Sequence, residues 1–299
     1  MRPTSLAFTY FAAVATHGSI RKAAETMNVA PSAIGRKIAE LEATLGVPLF
    51  QRLPRGVRLT SAGELLIGHI RRIGRDFELV QSQIEDLRGL RRGHVRLAVI
   101  EAVGTLVAHR IAAFQKTHPR VTFEFSVMGT REVVSAVVRE EAEIGFAFNP
   151  PPERHLRVIK ETKQTLHAVM KRGHPLATRN TLRLADCLQF PILVGDESLG
   201  GRHLLDAAAE SASVELRPLA VGNSISVMRM VASLSDAICF QIEIGTVSDP
   251  SLVAIPLGDA QLCGRLVLNV RRDRQLPVVA AIFLEDLANC LSDGPATTH

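Results

Sequence analysis

The chain has 299 residues, enough for about two domains, and its 46% hydrophobic content supports buried cores and excludes a disordered polyampholyte. The net charge of +5 is uneven: 14 Lys+Arg face 8 Asp+Glu through Arg92, and 21 face 22 from Gly93 onward, so the basic excess belongs to the first third, as expected of a segment that meets phosphate. Trp is absent and Tyr10 is the only Tyr, which argues against an aromatic stacking platform for single-stranded nucleic acid.

Leu6, Phe8, Phe11, Val14 and Ala15 share one face of a first predicted helix, ended by His17-Gly18. Ser19 can cap a second helix, Ile20–Met27, whose Ala23, Ala24 and Met27 form a small-residue packing face. Pro31 suits the first turn of a third helix running to about Leu45, with Ile34, Ile38, Leu41 and Leu45 inward. Two short helices, a tight turn and a third helix make a helix-turn-helix. The opposite face of the third helix carries Ser32, Ala33, Arg36 and Lys37: short groups to reach base edges in a major groove, then cations to reach phosphate. Val47–Arg52 and Val57–Thr60 alternate like two strands around Pro54-Arg55-Gly56, a wing whose Arg52, Arg55 and Arg58 would follow the flanking backbone or minor groove.

Leu66, Ile70, Ile73, Phe77, Val80, Ile84 and Leu87 then step by four and three, a mean of about 3.5 residues, the period of a helix that pairs with another helix. Ser61-x-x-Glu64 has capping-box spacing, with Thr60 also able to cap, and Gly89, Arg91, Arg92 and Gly93 suit the far end. The alternative is an amphipathic helix lying on its own domain. The regular stepping favours a dimer.

From His94 short apolar runs alternate with helical stretches, the pattern of strand-helix units around a parallel sheet. Strands are expected at Val95–Ile100, Val121–Met128 and Ile144–Phe148, with helices at Thr105–Thr117 and Thr130–Glu141. A crossing at Glu161–Thr165 leads to strands Leu166–Met170 and Pro191–Val194, helix Leu199–Ser211, strand Leu219–Val221, helix Ile225–Ser235 and strand Ala237–Phe240. Arg265–Val270 crosses back, Pro277–Leu291 forms the last helix, and the tail Ser292–His299 is expected to fray. Two crossings imply two α/β lobes with a cleft between them. Ligands of such lobes sit beyond the carboxyl ends of strands, where helix N-termini aim free amides into the crevice. That nominates Glu101, Ala102, Gly129, Thr130, Phe148 and Asn149 from one lobe, and Asp196, Ser198, Asn223 and Ser224 from the other, with Gln241 as a further candidate. For each polar member, helix capping is the competing role.

The motifs Phe11-x-x-Val14-Ala15-x-x-Gly18-Ser19-Ile20, Ala23-Ala24-Glu25, Leu41-Glu42 with Leu45-Gly46-Val47-x-Leu49-Phe50-x-Arg52, and Leu59-Thr60-x-Ala62-Gly63-Glu64 cover most of residues 5–65. In combination they resemble the LysR-type transcriptional regulators. The resemblance implies a winged helix-turn-helix at 1–60, a dimerising linker helix at 61–92 and an effector-binding domain at 93–299 similar to the type 2 periplasmic binding proteins. Lobe I would comprise 93–162 and 266–299, and lobe II 163–265. It further implies a homodimer, pairing again into a homotetramer, that binds double-stranded promoter DNA, answers to a small-molecule effector and recruits RNA polymerase. Gly129-Thr130 matches a family motif at the pocket. The family's recognition helix often opens Ser-Gln-Pro-Ala, whereas this chain reads Ala30-Pro31-Ser32-Ala33-Ile34-Gly35-Arg36, so no target sequence carries over. Gly35 costs about 1 kcal/mol in a helix interior relative to Ala, which a close approach to DNA backbone would explain, a neutral family variant being the alternative.

Relatives that sense carboxylates place a Ser near the position of Glu101 and an Arg near that of Phe148. An acid and a ring at these positions suit an amine-bearing or cationic effector, through charge pairing and a cation–π contact. The alternative is a Glu101 paired with a cation of its own chain such as Arg202.

The chain lacks a GxSxG elbow, a Walker loop, a GxGxxG after a strand and an HExxH, so an enzyme is not expected. Cys187, Cys239, Cys263 and Cys290 form no CxxC pair, and no metal or cofactor is implied. No basic-then-apolar leader precedes the first helix and no apolar run reaches about 18 residues, so a cytoplasmic protein without membrane contact is expected, which argues against a transport-type binding protein. A ligand-independent DNA-binding protein that uses its two-lobed domain only for oligomerisation remains the second reading.

Overall fold

Serine caps and left-handed residues punctuate the start of the chain. In the computed structural model, which describes residues 5–54, 56–87, 93–246 and 249–292, α1 (Leu6–His17) is capped by Ser5, which accepts from Phe8 N. Ser19 likewise caps α2 (Ile20–Met27) by accepting from Lys22 N. Gly18, Asn28 and Gly46 end α1, α2 and α3 (Pro31–Leu45) in the left-handed conformation, and Pro31 holds the first position of α3. β1 (Phe50–Leu53) and β2 (Gly56–Leu59) form the expected antiparallel ribbon. Gly56 is required there: its φ is +133°, and a Cβ would lie 2.4 Å from the Gly18 carbonyl oxygen. That same oxygen accepts from Val57 N at 2.9 Å, tying the wing to the turn before α2.

Tyr10, Val14, Ala23, Ala24, Ile34 and Ile38 form the core of the three helices. Leu6 and Leu45, expected inward, are exposed, because each lies at an outer end of its helix beyond the reach of the core. The Glu42 carboxylate accepts from Leu49 N and Phe50 N at 2.7 and 3.2 Å, fixing the strand to α3.

Next comes α4 (Ser61–Leu87), whose 27 residues make a rod about 40 Å long at roughly 1.5 Å per residue. Thr60 starts it, its Oγ1 accepting from Gly63 N at 3.1 Å, so the cap is Thr60 rather than Ser61. Ile67 and Ile70 are buried with Phe11 and Leu49, and Leu66 packs against the same cluster. The first members of the seam therefore lie on their own unit. Farther along, Val80 and Ile84 are exposed, by 48% and 45%. The expected helix end at Gly89–Gly93 falls largely outside the described residues.

The chain divides into two compact units, Met1–Arg88 and Gly89–His299. The second runs β3 (Gly93–Val99), a 3-10 turn Glu101–Val103, α5 (Gly104–Thr117), β4 (Val121–Val127), α6 (Thr130–Val138), β5 (Ile144–Phe148), β6 (Leu156–Lys171), α7 (Leu184–Cys187), β7 (Ile192–Gly195), α8 (Arg202–Ser211), β8 (Pro218–Gly222), α9 (Ile225–Leu234), β9 (Ile238–Ile242), a 3-10 turn Glu243–Gly245, β10 (Leu252–Pro256), β11 (Cys263–Arg271) and α10 (Val278–Ser292). Strand order is β4-β3-β5-β11-β6-β9-β7-β8, with β10 also on β6. β3, β4 and β5 are parallel neighbours in one lobe, and β7, β8 and β9 in the other.

The crossing differs from expectation. Instead of a crossing followed by a separate strand, β6 is one 16-residue strand. Its first part pairs with β11 as far as Thr165 opposite Cys263, and from Leu166 it pairs with β9. Its first half is largely exposed and polar while its second half is buried, so one strand carries two patterns. β10 and α7 were not expected; both are short. α8 begins at Arg202 rather than Leu199, because Gly200 and Gly201 precede it. Ser292 ends α10, and the rest of the expected frayed tail lies outside the described residues.

Candidate functional site

In the first unit, α3 presents Ser32 and Arg36 fully exposed, with Ala33 and Lys37 half-buried beside them. Helical spacing of four places Ser32 with Arg36 and Ala33 with Lys37 on one face. The Lys37 ammonium is held by Glu40 at 2.7 Å, and that hydrogen bond holds the Glu40 carboxyl below its usual range. The head of α3 has no side-chain cap. A Cβ added at Gly35 meets nothing within 4 Å, so no packing within the chain requires the glycine. On the ribbon, Arg52 stands opposite Val57 and Arg58 opposite Gln51. Cross-strand partners share a face, so Arg52 and Arg58 project to opposite sides of the wing. Both are exposed; Arg55 lies outside the described residues.

In the second unit, a cavity of about 50 Å³, room for a few waters, lies between the lobes. Of the ten nominated residues, Glu101, Ala102 and Phe148 line it, as does Gln241. The other seven do not, and most of them bond within the chain. Thr130 Oγ1 donates to the Phe148 carbonyl at 3.0 Å, and Thr130 N donates to the Ser198 carbonyl at 3.1 Å. Gly129 sits so close to Ser198 that a Cβ would lie 2.8 Å from its carbonyl oxygen. Asp196 Oδ1 accepts from Ser198 N and Oγ at 2.9 and 2.6 Å, shaping the loop before α8. Asn149 exchanges hydrogen bonds with Arg265, its N donating at 2.8 Å and its Oδ1 accepting at 2.7 Å. Asn223 is exposed, and Ser224 caps α9 by accepting from Val227 N.

Glu101 neither stands free for a cation nor meets Arg202. Its carboxylate reaches from lobe I to the head of α9 in lobe II, accepting from Ile225 N at 2.7 Å, Ser226 N at 2.9 Å and Ser226 Oγ at 2.6 Å. Arg202 also lines the cavity, but it pairs with Asp206 at 2.8 Å and donates to the Gly195 carbonyl at 3.1 Å. Gln241 is 4% exposed; its Nε2 donates to the Gly245 carbonyl, and its Oε1 has no partner among the described residues. The Gly200-Gly201 pair and the rings of Phe148 and Phe240 complete much of the wall. Gly200 was legible as a close approach only in three dimensions: a Cβ there would lie 2.3 Å from the Phe148 carbonyl oxygen.

Among the described residues no group of three or more His, Cys, Asp or Glu is placed to hold a metal ion, and no helix is long and apolar enough to cross a membrane. Burial pushes the Cys187 and Cys239 thiols up to about 12, so both behave as small apolar groups rather than nucleophiles.

With this geometry in place, the comparisons with known proteins are direct. The family described as "Bacterial regulatory helix-turn-helix protein, lysR family" matches residues 6–64, and "LysR substrate binding domain" matches residues 88–290. The chain is 21% identical to the HTH-type transcriptional activator CmpR of Synechocystis sp., across 94% of this chain and 93% of that one. It is similar to the structure of full-length CbnR complexed with its target DNA, with TM-score 0.68 and 20% identity over 95% of this chain and 98% of the other. The Synechocystis PCC6803 CcmR regulatory domain in complex with 2-PG matches 69% of this chain and 100% of that one, with TM-score 0.62 and 18% identity. The two family matches lie one on each unit, the first on the winged helix-turn-helix and the second on the paired lobes, and the chain belongs to the LysR family of DNA-binding, effector-controlled transcriptional regulators.

Proposed function

We propose that this regulator binds a dyad-symmetric promoter site as a homodimer, itself able to pair into a homotetramer, and that a small molecule between its lobes sets the spacing of its DNA-binding units and its contact with RNA polymerase. Residues 1–60 read DNA, 61–92 dimerise, and 93–299 bind effector, with lobe I at 93–162 and 266–299 and lobe II at 163–265. Ser32 and Ala33 meet base edges; Arg36, Lys37, Arg52, Arg55 and Arg58 meet phosphate or the minor groove. The protein works in the cytoplasm and without catalysis.

The observation that carries this reading is the exposed face of α3, with Ser32 and Arg36 outward on a helix anchored by Ile34 and Ile38. The opposed sides of Arg52 and Arg58 suit a wing lying across a backbone, one cation toward each side. Exposure of Val80 and Ile84 beyond the part of α4 packed on its own unit supports a seam for a second chain. An effector that is amine-bearing or cationic loses its basis in Glu101, whose charge is already met by α9.

Footprinting the DNA upstream of the gene at several salt concentrations tests the reading. A protected, dyad-symmetric site whose affinity falls steeply with salt is expected. Protection that is uniform along the DNA would count against it.

A further inference from the structure

We infer that the Glu101 carboxylate is a built-in occupant of the anion position at the head of α9, latching the lobes together and reserving the cleft for an uncharged effector. The effector part rests on the function proposed above; the latch stands on geometry alone.

A helix exposes four unpaired amides at its head, where the dipole favours an anion. In α9 the three amides of the first turn are taken: Ile225 N and Ser226 N donate to Glu101, and Val227 N to Ser224 Oγ at 3.4 Å. Glu101 adds the Ser226 hydroxyl. One of these amides goes to α9's own cap and two to a carboxylate 124 residues earlier in the chain, on the opposite lobe. A ligand carboxylate or phosphate arriving at this turn finds these amides taken and meets a resident negative charge.

The rest of the cavity wall agrees. Its cation, Arg202, is neutralised by Asp206, so neither charged group in the wall is left for a ligand. The remaining wall is largely apolar, with Phe148, Leu199, Leu205 and Phe240 among its residues. The matching ligand has an apolar body and no charge.

The test uses the full-length protein, without DNA, and acetate, which replaces the group that Glu101→Ala removes. At matched ionic strength with chloride as control, wild type is expected to melt at the same temperature with or without acetate. Glu101→Ala is expected to melt several degrees lower and to recover saturably with millimolar acetate, but not with acetamide. Glu101→Gln, which fills the same space without charge, is expected to melt between the two and to ignore acetate. Equal stabilisation of wild type and Glu101→Ala by acetate would overturn the latch, as would a Glu101→Ala protein that melts like wild type and responds to no anion. Because no DNA is present, a failed footprint leaves this result standing, and a failed rescue leaves the footprint standing.

Discussion

The heads of α3 and α9 are both positive helix ends, and they are treated in opposite ways. At α3, Ala30 supplies no side-chain oxygen and Pro31 supplies no amide; Ala33 N donates to the Ala30 carbonyl at 3.0 Å, and the first turn has no side-chain cap beside the exposed Ser32. At α9, Ser224 and Glu101 consume every amide of the first turn. The difference separates an end without a side-chain cap from one closed by an internal anion. On the function proposed above, DNA phosphate would be the guest of the first. The second has no vacancy, and its occupant joins two lobes.

This contrast can be broken or sharpened by substitution. The largest effect is expected from Val80→Asp combined with Ile84→Asp, which charges the exposed part of the α4 seam. Sedimentation should then report a smaller assembly, and binding to a two-half-site operator should fall by about 100-fold or more through lost avidity. A variant that keeps its mass would move the dimer contact elsewhere. Next, Arg36→Ala should lose about 1–3 kcal/mol of operator affinity if its guanidinium meets a base edge, with relaxed preference at one position. Arg58→Ala should weaken all sequences alike and lower the salt slope by about 1, the mark of a single phosphate contact. The smallest effect belongs to Ala30→Ser. A hydroxyl at that cap should stabilise the unit by about 1 kcal/mol while lowering DNA affinity, because it takes an amide otherwise offered to phosphate. If DNA binding is unchanged, the open head of α3 plays no part in recognition.

Local signals were legible wherever a residue's role depends on its near neighbours. Ser19 at its cap, Pro31 at the first turn of α3, Gly56 in the wing and the strand Ile144–Phe148 follow from propensity and spacing. The outward placing of Ser32 and Arg36 follows as well, since residues four apart on a helix share a side. Long-range contacts were not legible. The register that turns Arg52 and Arg58 to opposite sides of the wing depends on which residues pair across the ribbon. β6 was divided because its two halves meet different surroundings, one exposed and one buried.

The cleft shows the same limit more sharply. Reading helix heads and strand ends nominated turns around the cleft, yet Thr130, Ser198, Asp196 and Asn149 bond to the chain itself. Capping and ligand binding use the same residue types at the same spacing, so only the partner's position tells them apart. Glu101 lines the cavity, but its expected partner was a cation. Its actual partners lie on the other lobe, and no pattern within the strand ending at Val99 could reveal them.

The most direct test of the account joins its two ends: footprinting of wild type and Glu101→Ala on the operator, each with and without acetate at matched ionic strength. The wild-type pattern is expected to be indifferent to acetate. The Glu101→Ala pattern should differ from it, in extent or in hypersensitive positions between half-sites, and should return to it as acetate refills the head of α9. Identical patterns for both proteins under all conditions would contradict the claim that closure of the cleft governs how this regulator holds DNA.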